Sequence, residues 1–227
     1  MVATPIGNLQ DMGKRAEQCL QDVDLIVCED TRVTGKLLKS FDIQKPLASL
    51  HEHTAASQLD KILDRLRQGQ RLAYVCDAGT PGVNDPGGKL VAAAFDEIIP
   101  VVTIPGPSAL TAAISVCGFP MNEFVYVGFI PHKKGRETLF KHIAERAMPT
   151  IFFESTHRIE KTLAALKTVL DSDRLVFVGR EMTKMHEMLY RGRIDEVIRT
   201  LHDTSLKGEF VVIIGPRGFM KHELGYV

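Results

Sequence analysis

The sequence predicts an α/β fold with two α/β domains of about equal size. Short apolar runs typical of buried strands alternate with segments of helical periodicity along the 227 residues. The break Gly118-Phe119-Pro120 interrupts this alternation, and a new strand-like run follows it. We therefore expect an N-terminal domain over residues 1–118 and a C-terminal domain over residues 119–227.

The first domain reads as a series of strands joined by helices. Helices are expected from an N-cap at Asp11 to about residue 23, around the i, i+3, i+4, i+7 pattern of residues 59–66, over residues 88–95, and in the alanine-rich segment ending at residue 117. Strands are expected over residues 24–28, 71–76 and 101–104. Continuous apolar strands separated by helices are typical of a parallel sheet.

The second domain repeats the alternation with different sequences. Strands are expected over residues 124–129, 150–154, 175–178 and 210–214. Helices are expected over residues 136–147, 163–170 and 195–201. Met182, Met185 and Met188 recur at helical spacing, which favours a packed core or an interface.

The charge balance excludes a general polycation. Lysine plus arginine equals aspartate plus glutamate, at 28 each, so any contact with nucleic acid must come from a local patch. No apolar run approaches the roughly 18 residues of a membrane helix, and no basic and apolar leader stands at the start. We expect a cytoplasmic protein that binds no membrane.

Metal binding has little support in the sequence. The four cysteines form no C-x-x-C pair, and Cys28 and Cys76 lie in apolar runs where reduced, buried thiols are expected. His51-Glu52-His53 would place both histidines on one face only in a strand, and no third ligand has useful spacing. We interpret that segment as a structural or RNA-facing turn and expect no metal site.

Three loops rich in small residues follow predicted strands of the first domain, over residues 4–8, 77–88 and 105–108. Ligands of parallel α/β sheets bind beyond the carboxyl ends of strands, so the three loops could converge on one ligand. Glycine allows a close backbone approach and proline reduces the entropy lost on ordering. The alternative is a long solvent loop without a ligand.

The second loop lacks the groups that a polyphosphate requires. The sequence contains neither a P-loop nor a G-x-G-x-x-G after a strand, and residues 75–88 include no lysine or arginine. A neutral or cationic adenosyl ligand, recognised by backbone groups, fits this composition better than a nucleoside triphosphate.

An ordered set of motifs across almost the whole chain resembles the ribosomal RNA small subunit methyltransferase I family of the tetrapyrrole methylase superfamily. The first-domain segments are TPIGNL at 4–9, EDTR at 29–32, DAGTP at 77–81, NDPG at 84–87 and PGPSA at 105–109. The second-domain segments are FESTHR at 153–158, REMTK at 180–184 and GEF at 208–210.

The resemblance implies a homodimer that binds S-adenosylmethionine in a cleft between its two domains. It implies 2′-O-methylation of a cytidine ribose in the decoding region of small-subunit (16S) ribosomal RNA, as free RNA or in the assembled 30S subunit. By matched position it implies these cofactor-binding residues: Pro5, Asp77, Ala78, Gly79, Thr80, Val83, Ser108, Ala109, Glu154 and Met182.

Two departures from the wider superfamily argue against a porphyrin-like substrate. Tetrapyrrole-modifying members usually carry a G-x-G-P-G-type first loop, where this chain has residues 4–8 as TPIGN. They also usually carry G-D-P in the second loop, where this chain has Gly79-Thr80-Pro81.

A ribose hydroxyl is a poor nucleophile, so a base or a cation near the developing alkoxide would assist its methylation. The candidate catalytic residues are Asp30 and Glu154, which end predicted strands, and Lys184, which follows one. Each has a structural alternative: Asp30 in a capped turn, Glu154 as a cap onto Thr156 or His157, and Lys184 as a surface lysine. No residue is identified as the general base from the sequence.

The run HKKGR at residues 132–136 is the sharpest basic segment, and phosphate contact is a natural role for it. The candidate RNA-binding residues are Arg32, Lys133, Lys134, Arg136 and Arg158. A solvated charged surface is the alternative. Two other functions stay open: methylation of a tetrapyrrole or a protein side chain by the same fold, and non-catalytic binding of RNA or nucleotide.

Overall fold

The computed structural model describes residues 1–52 and 55–219, and the chain divides into two compact units between Ser108 and Ala109. We call these unit 1 and unit 2. The predicted domain boundary at residue 118 stays a prediction, and a helix over Ala109–Cys117 begins unit 2. Across the described residues, no helix has the length and apolar character needed to cross a membrane.

Unit 1 is a three-stranded parallel sheet with helices on both faces. Its helices are α1 (Lys14–Asp22), α2 (Thr31–Ser40), α3 (Ala56–Arg67) and α4 (Gly87–Asp96). Its strands are β1 (Leu25–Cys28), β2 (Leu47–Ser49) and β3 (Leu72–Val75), in the order β2-β1-β3. Both pairings are parallel, which confirms the predicted sheet type.

The central strand β1 is apolar at every position because its successive side chains pack into two different cores. Ile26 and Cys28 pack in a cluster with Leu20 of α1 and Leu38 of α2. Leu25 and Val27 pack in a second cluster, with residues of α3 and α4. A strand covered on both faces needs apolar side chains at every position.

Two predicted elements of unit 1 were wrong. Asp11 does not cap α1, whose N-cap is Gly13; it lies in a short 3₁₀-helix, Leu9–Asp11, capped by the Asn8 side chain. Residues 101–104 do not form a regular strand. Only Ile104 forms a β-bridge, parallel to Val2, and the amino group of Met1 adds one hydrogen bond to the Val102 carbonyl.

Unit 2 is a five-stranded mixed sheet. Its helices are α5 (Ala109–Cys117), α6 (Arg136–Glu145), α7 (Ile159–Lys167) and α8 (Ile194–His202). Its strands are β4 (Val125–Phe129), β5 (Thr150–Ser155), β6 (Leu175–Arg180), β7 (Met188–Arg193) and β8 (Glu209–Ile214). The order is β4-β5-β8-β6-β7, with only β4 and β5 parallel.

The two faces of this sheet bury different side chains of the same strands. Phe152 belongs to the cluster that also contains residues of α6, α7 and α8. Ile151 belongs to a second cluster, with Ala113 and Cys117 of α5. The alternation of neighbouring residues between the two clusters is the expected geometry of a strand covered on both faces.

The sequence did not predict β2 or β7. The spacing of Met182, Met185 and Met188 favoured a packed core or an interface; core packing is wrong for Met185, and the interface alternative stays a prediction. Met182 is buried, whereas Met185 is 93% exposed and Met188 is the first residue of β7. β7 is an edge strand paired only with β6 among the described strands, so it lacks the continuous apolar pattern of a central strand.

Replacing Phe152 tests the unit 2 core. Its side chain is fully buried on β5, so Phe152→Ala should lower the free energy of unfolding by about 3–5 kcal/mol by leaving a cavity. The matched control is Phe95→Ala, because Phe95 is 64% exposed and its loss should change stability by less than about 0.5 kcal/mol. Urea unfolding measures both, and equal effects would contradict the assigned core.

Candidate active site

A reciprocal pair of backbone hydrogen bonds joins the first and second loops of unit 1. The Thr4 N–H donates to the Gly79 carbonyl at 3.0 Å, and the Gly79 N–H donates to the Thr4 carbonyl at 3.1 Å. Just before this pair, Val2 donates to the carbonyl of Tyr74 on β3. The N-terminal segment therefore continues the sheet edge and carries the first loop to the end of β3.

The third loop is joined to the second by a side chain. The Thr80 hydroxyl donates to the Pro107 carbonyl at 2.8 Å. A Cβ at Gly79 would lie 3.1 Å from Cγ2 of Ile6 and 3.6 Å from the Pro107 oxygen, and Gly79 has a φ of +87°. Both the space and the φ require glycine here. The three loops predicted to converge are thus in contact around Gly79.

Asp85 sets the shape of the second loop. Its Oδ2 accepts hydrogen bonds from the backbone N–H of Gly82 at 2.6 Å and of Val83 at 2.9 Å. Its Oδ1 accepts from the N–H of Gly87 at 2.8 Å, at the start of α4. One carboxylate therefore satisfies three donors of a segment that has little regular structure.

Carboxylates also gather where β1 and β3 end. Oε2 of Glu29 accepts from the Asp77 N–H at 3.2 Å, and Oδ1 of Asp77 accepts from the Asp30 N–H at 3.1 Å. Burial raises the pKa of Glu29, and the charges of Asp77 and Asp85 raise it further, against the lowering effect of the Asp77 N–H. This end of unit 1 is consequently acidic.

Asp30 has a structural task in this cluster. It is the N-cap of α2, and its carboxylate accepts from the Arg32 N–H at 2.8 Å and forms an ion pair with the Arg32 guanidinium at 2.6 Å. The hydrogen bonds from Arg32 hold the pKa of Asp30 well below its usual range. This geometry supports the capped-turn alternative and makes Asp30 a weak base. Its predicted catalytic role stays a prediction.

The predicted cofactor residues of unit 1 differ in their exposure. Pro5 and Gly79 are buried, Thr80, Val83 and Ser108 are half-buried, and Asp77 and Ala78 are exposed. Ala109, at the start of α5, belongs to unit 2 and is half-buried. The wall around Gly79 therefore combines backbone groups with carboxylates, and residues 75–88 add no lysine or arginine.

In unit 2, Glu154 is the buried centre of a polar network. Its side chain is fully buried; Oε1 accepts from the Ser155 N–H at 2.9 Å, and Oε2 accepts from the Thr162 hydroxyl at 2.7 Å. Arg158 forms an ion pair with Oε1 at 3.3 Å. The Thr162 hydroxyl in turn accepts from Arg136 at 2.8 Å. Sequence reasoning missed Thr162, which lies within a helix without any motif to mark it.

Two of the predicted RNA-binding arginines are committed to this network. Arg158 donates to the carbonyls of Ile130 and Pro131, and Arg136 donates to the Pro131 carbonyl at 3.4 Å. Burial and the nearby charge of Arg158 lower the pKa of Arg136. Arg158 is only 17% exposed in its side chain. By contrast, Lys133, Lys134 and Arg32 are exposed.

Lys184 lies between two carboxylates. Its Nζ donates to Oε1 of Glu181 and to Oε2 of Glu209, both at 2.9 Å. Burial alone would lower the pKa of Lys184, but the hydrogen bonds to Glu209 and Glu181 outweigh it, so the net direction is upward. Lys184 is therefore protonated at neutral pH, which suits a stabilising cation and excludes a general base.

The segment around Lys184 is tightly folded. Glu181 and Thr183 both have positive φ, at 50° and 66°, which is rare for a β-branched residue such as Thr183. Met182 between them is buried against the core of unit 2. The structure brings Met182 and Lys184 into one turn after β6, whereas Glu154 lies within β5, near its end. The cofactor roles predicted for Met182 and Glu154 stay predictions.

No metal site is found: within residues 1–52 and 55–219, no group of three or more histidine, cysteine, aspartate or glutamate side chains is placed to hold a metal ion. His53, which belonged to the histidine pair considered above, lies outside the described residues.

Comparison with known proteins places the motifs in a family. A family model described as Tetrapyrrole (Corrin/Porphyrin) Methylases matches residues 1–198. The chain belongs to the tetrapyrrole methylase family. Within this family it is similar to proteins named ribosomal RNA small subunit methyltransferase I, which confirms the resemblance drawn from the motifs.

The similarity to these relatives extends over nearly the whole chain. The protein of Synechocystis is 44% identical over 94% of this chain and 77% of its own length. That of Thermotoga maritima is 42% identical over 94% of this chain and 96% of its own length. The Escherichia coli O157:H7 protein is 42% identical over 94% of this chain and 76% of its own length.

Solved structures confirm the tetrapyrrole methylase fold. A cobalt precorrin-4 methyltransferase of cobalamin biosynthesis has a TM-score of 0.66 at 14% identity, covering 94% of this chain and 92% of its own. A uroporphyrin-III-C-methyltransferase from Thermus thermophilus has a TM-score of 0.64 at 15% identity, with the same coverage. At these identities the likeness concerns the fold alone.

Removing the Asp85 carboxylate should loosen the second loop. Asp85→Ala deletes a charged acceptor of three backbone donors, and such hydrogen bonds contribute about 1.5–3 kcal/mol each. We expect amide hydrogen exchange at Gly82, Val83 and Gly87 to accelerate by about 10- to 100-fold, with a smaller effect in Asp85→Asn. The control is Asp96→Ala at an exposed position of the adjacent helix, and equal exchange in both variants would contradict this role.

Replacing Glu154 tests whether its carboxylate holds the polar network of unit 2 together. Glu154→Ala leaves Arg158 without its buried partner and should lower the free energy of unfolding by about 3–5 kcal/mol. Glu123→Ala, which removes an exposed carboxylate from the same unit, should change it by less than about 0.5 kcal/mol. Chemical denaturation distinguishes the two. An unchanged unfolding curve for Glu154→Ala would mean that the carboxylate does not hold the network together.

Proposed function

We propose that this chain is an S-adenosylmethionine-dependent methyltransferase that methylates the 2′-oxygen of a cytidine ribose in the decoding region of small-subunit ribosomal RNA. Membership of the tetrapyrrole methylase family supports methyl transfer. Relatives over 40% identical along 94% of the chain carry the name ribosomal RNA small subunit methyltransferase I, which supports the substrate class. The homodimer and the single target nucleotide come from the resemblance and belong to this proposal.

The observation that carries the cofactor assignment is the joined set of loops around Gly79. The backbone hydrogen bonds between Thr4 and Gly79 and the Thr80–Pro107 bond join the three loops into one wall. Its side chains are acidic or neutral, which suits a cationic ligand and disfavours a polyphosphate. When bound, S-adenosylmethionine supplies an electrophilic methyl group on a sulfonium.

We assign the contacts with this ligand to Pro5, to residues 77–80, and to Val83, Ser108 and Ala109. Pro5 and Val83 offer apolar surface, while Ala78 and Gly79 offer backbone groups at close range. The acceptors on Glu29 and Asp77 favour positive charge at the ends of β1 and β3. Glu154 and Met182 are buried, so their assigned contribution is support of the surfaces beside them.

For the transfer itself, the chain contributes chiefly by positioning. Aligning the hydroxyl oxygen with an activated methyl group accounts for a large part of the barrier reduction in such reactions. Lys184 is a fixed cation with a raised pKa and can stabilise negative charge on the ribose oxygen. Lys133 and Lys134 are exposed cations for the phosphates of the RNA.

Methyl incorporation tests the substrate directly. Purified protein is incubated with radiolabelled S-adenosylmethionine and, separately, with small ribosomal subunits, free small-subunit RNA and a ribosomal protein fraction. Label in the RNA that resists alkali at one ribose is expected, because a 2′-O-methyl group blocks cleavage of the neighbouring phosphodiester. Label in protein alone would overturn the RNA assignment, and no label in any fraction would overturn the proposed activity.

The cofactor wall is tested at Thr80. Thr80→Arg places bulk and positive charge against a cationic ligand, so S-adenosylmethionine binding should fall below detection in isothermal titration. Thr80→Val preserves the volume but removes the bond to Pro107, so the affinity should weaken by about 3- to 10-fold, as expected for one neutral hydrogen bond. If Thr80→Arg binds as the unmodified protein does, the loop is not the cofactor site.

A further inference from the structure

An exposed phenylalanine lies beside the basic loop of unit 2. Phe129 ends β4, is 55% exposed, and directly precedes Ile130-Pro131 and the run of Lys133 and Lys134. Single exposed apolar residues are common on protein surfaces and carry no meaning alone. The position of this ring, however, indicates a function.

A bulge in β4 places Phe129 on the face of the sheet that carries Tyr126 and Phe153. Tyr126 pairs with Ile151 and Phe129 with Phe153, so β4 uses three steps where β5 uses two. Regular alternation would place Gly128 on the face of Tyr126; the extra residue, with Gly128 at a φ of +69°, places Phe129 there instead. The strand thus departs from regular pairing at the position that presents the ring.

The ring is held by its neighbours while most of it stays accessible. Phe129 packs edge-to-face on Phe153, with ring centroids 5.7 Å apart and planes at 66°. Phe153 packs in the same manner on Tyr126, with centroids 5.3 Å apart. An aromatic ring ordered in this way loses little conformational entropy when a ligand covers it.

The backbone between Phe129 and the lysines that follow it is tied to the rest of unit 2. Arg158 donates to the carbonyls of Ile130 and Pro131, so the first two residues after the ring are tied to the network of Glu154. Lys133 and Lys134 are exposed, and neither forms an ion pair with a carboxylate in the described part of the chain. Chain geometry limits the Cα separation of Phe129 and Lys133 to about 14 Å.

We propose that Phe129 stacks on a base of single-stranded RNA while Lys133 and Lys134 bind the phosphates of the same strand. This inference rests on the proposed function and adds the site by which the enzyme holds its RNA. Exposed aromatic rings beside cations are the usual means of binding unpaired nucleotides, because every base offers a π face. Two exposed lysines, four and five residues after the ring, favour a polyanion over an apolar protein surface.

Binding to a fluorescein-labelled single-stranded RNA of twelve mixed nucleotides, measured by anisotropy, tests this site. Phe129→Ala should weaken binding by about 5- to 100-fold, as expected for the loss of one stacked base. Phe129→Trp should bind at least as well as the unmodified protein. Phe95→Ala is the matched control, because Phe95 is a comparably exposed phenylalanine in unit 1, and it should leave the affinity unchanged.

Salt dependence separates the ring from the lysines. Phe129→Ala should leave the slope of log affinity against log salt concentration unchanged, because the ring carries no charge. Replacing Lys133 and Lys134 with alanine should reduce that slope by about 0.7 for each phosphate that a lysine no longer neutralises. Hybridising the RNA to its complement should remove the difference between Phe129→Ala and the unmodified protein, because the bases are then stacked within the duplex.

Three outcomes would overturn the inference or its basis. If Phe129→Ala binds single strands as Phe95→Ala does, while both methylate ribosomal RNA, the stacking site is wrong and the proposed function stands. If Phe129→Ala changes the sedimentation coefficient and not the RNA affinity, the ring contacts a second copy of the chain. If the unmodified protein neither binds nor methylates RNA, the proposed function itself fails.

Discussion

The two hydrogen bonds between the backbones of Thr4 and Gly79 hold the candidate site of unit 1 together. Parallel strands bring their carboxyl ends to one edge of a sheet, but loops at that edge diverge unless something joins them. Here the N-terminal segment runs beside β3 and pairs with the second loop, and the Thr80 hydroxyl then reaches Pro107 in the third. The glycine at position 79 is required because a Cβ would press against Ile6 and its φ is positive.

Several of the charged side chains considered for the site make structural contacts. Glu154 lies near the end of β5 and Arg158 follows it, in a motif that suggested ligand contact. Instead, the buried Glu154 carboxylate forms an ion pair with Arg158, which donates to the Ile130 carbonyl after β4. Asp30 caps α2 and Asp85 organises a loop. Lys184 is held in position between two carboxylates that raise its pKa, and its proposed chemical role is that of a cation. Positioning, and not a free base, is what this arrangement provides.

The sequence predicted most regular elements because their apolar spacing is periodic and their ends carry glycine or polar caps. It failed where the pairing partner and the position in the sheet, and not the apolar spacing of the segment, decide the structure. Residues 101–104 resemble a strand, but only Ile104 forms a β-bridge. β7 lacks an apolar run because it is an edge strand, and its neighbour β6 lies several residues earlier across a turn with positive φ at Glu181 and Thr183. The spacing of the three methionines did not reflect a helix, since Met182 and Met185 lie in the turn after β6 and Met188 begins β7.

The sequence by itself determined the family, the alternation of strands and helices, and the identity of the three loops, because each is encoded in local residue order. Only the tertiary structure decided which of the singled-out residues are free to meet a ligand. Arg136 and Arg158 look like Lys133 and Lys134 in the sequence, but two of these four cations are held against buried oxygens and two are exposed. Phe129 was likewise identified only from the structure, because an extra residue in β4 places its ring against Phe153. Burial and pairing depend on contacts between residues far apart in the chain, and local residue order does not specify them.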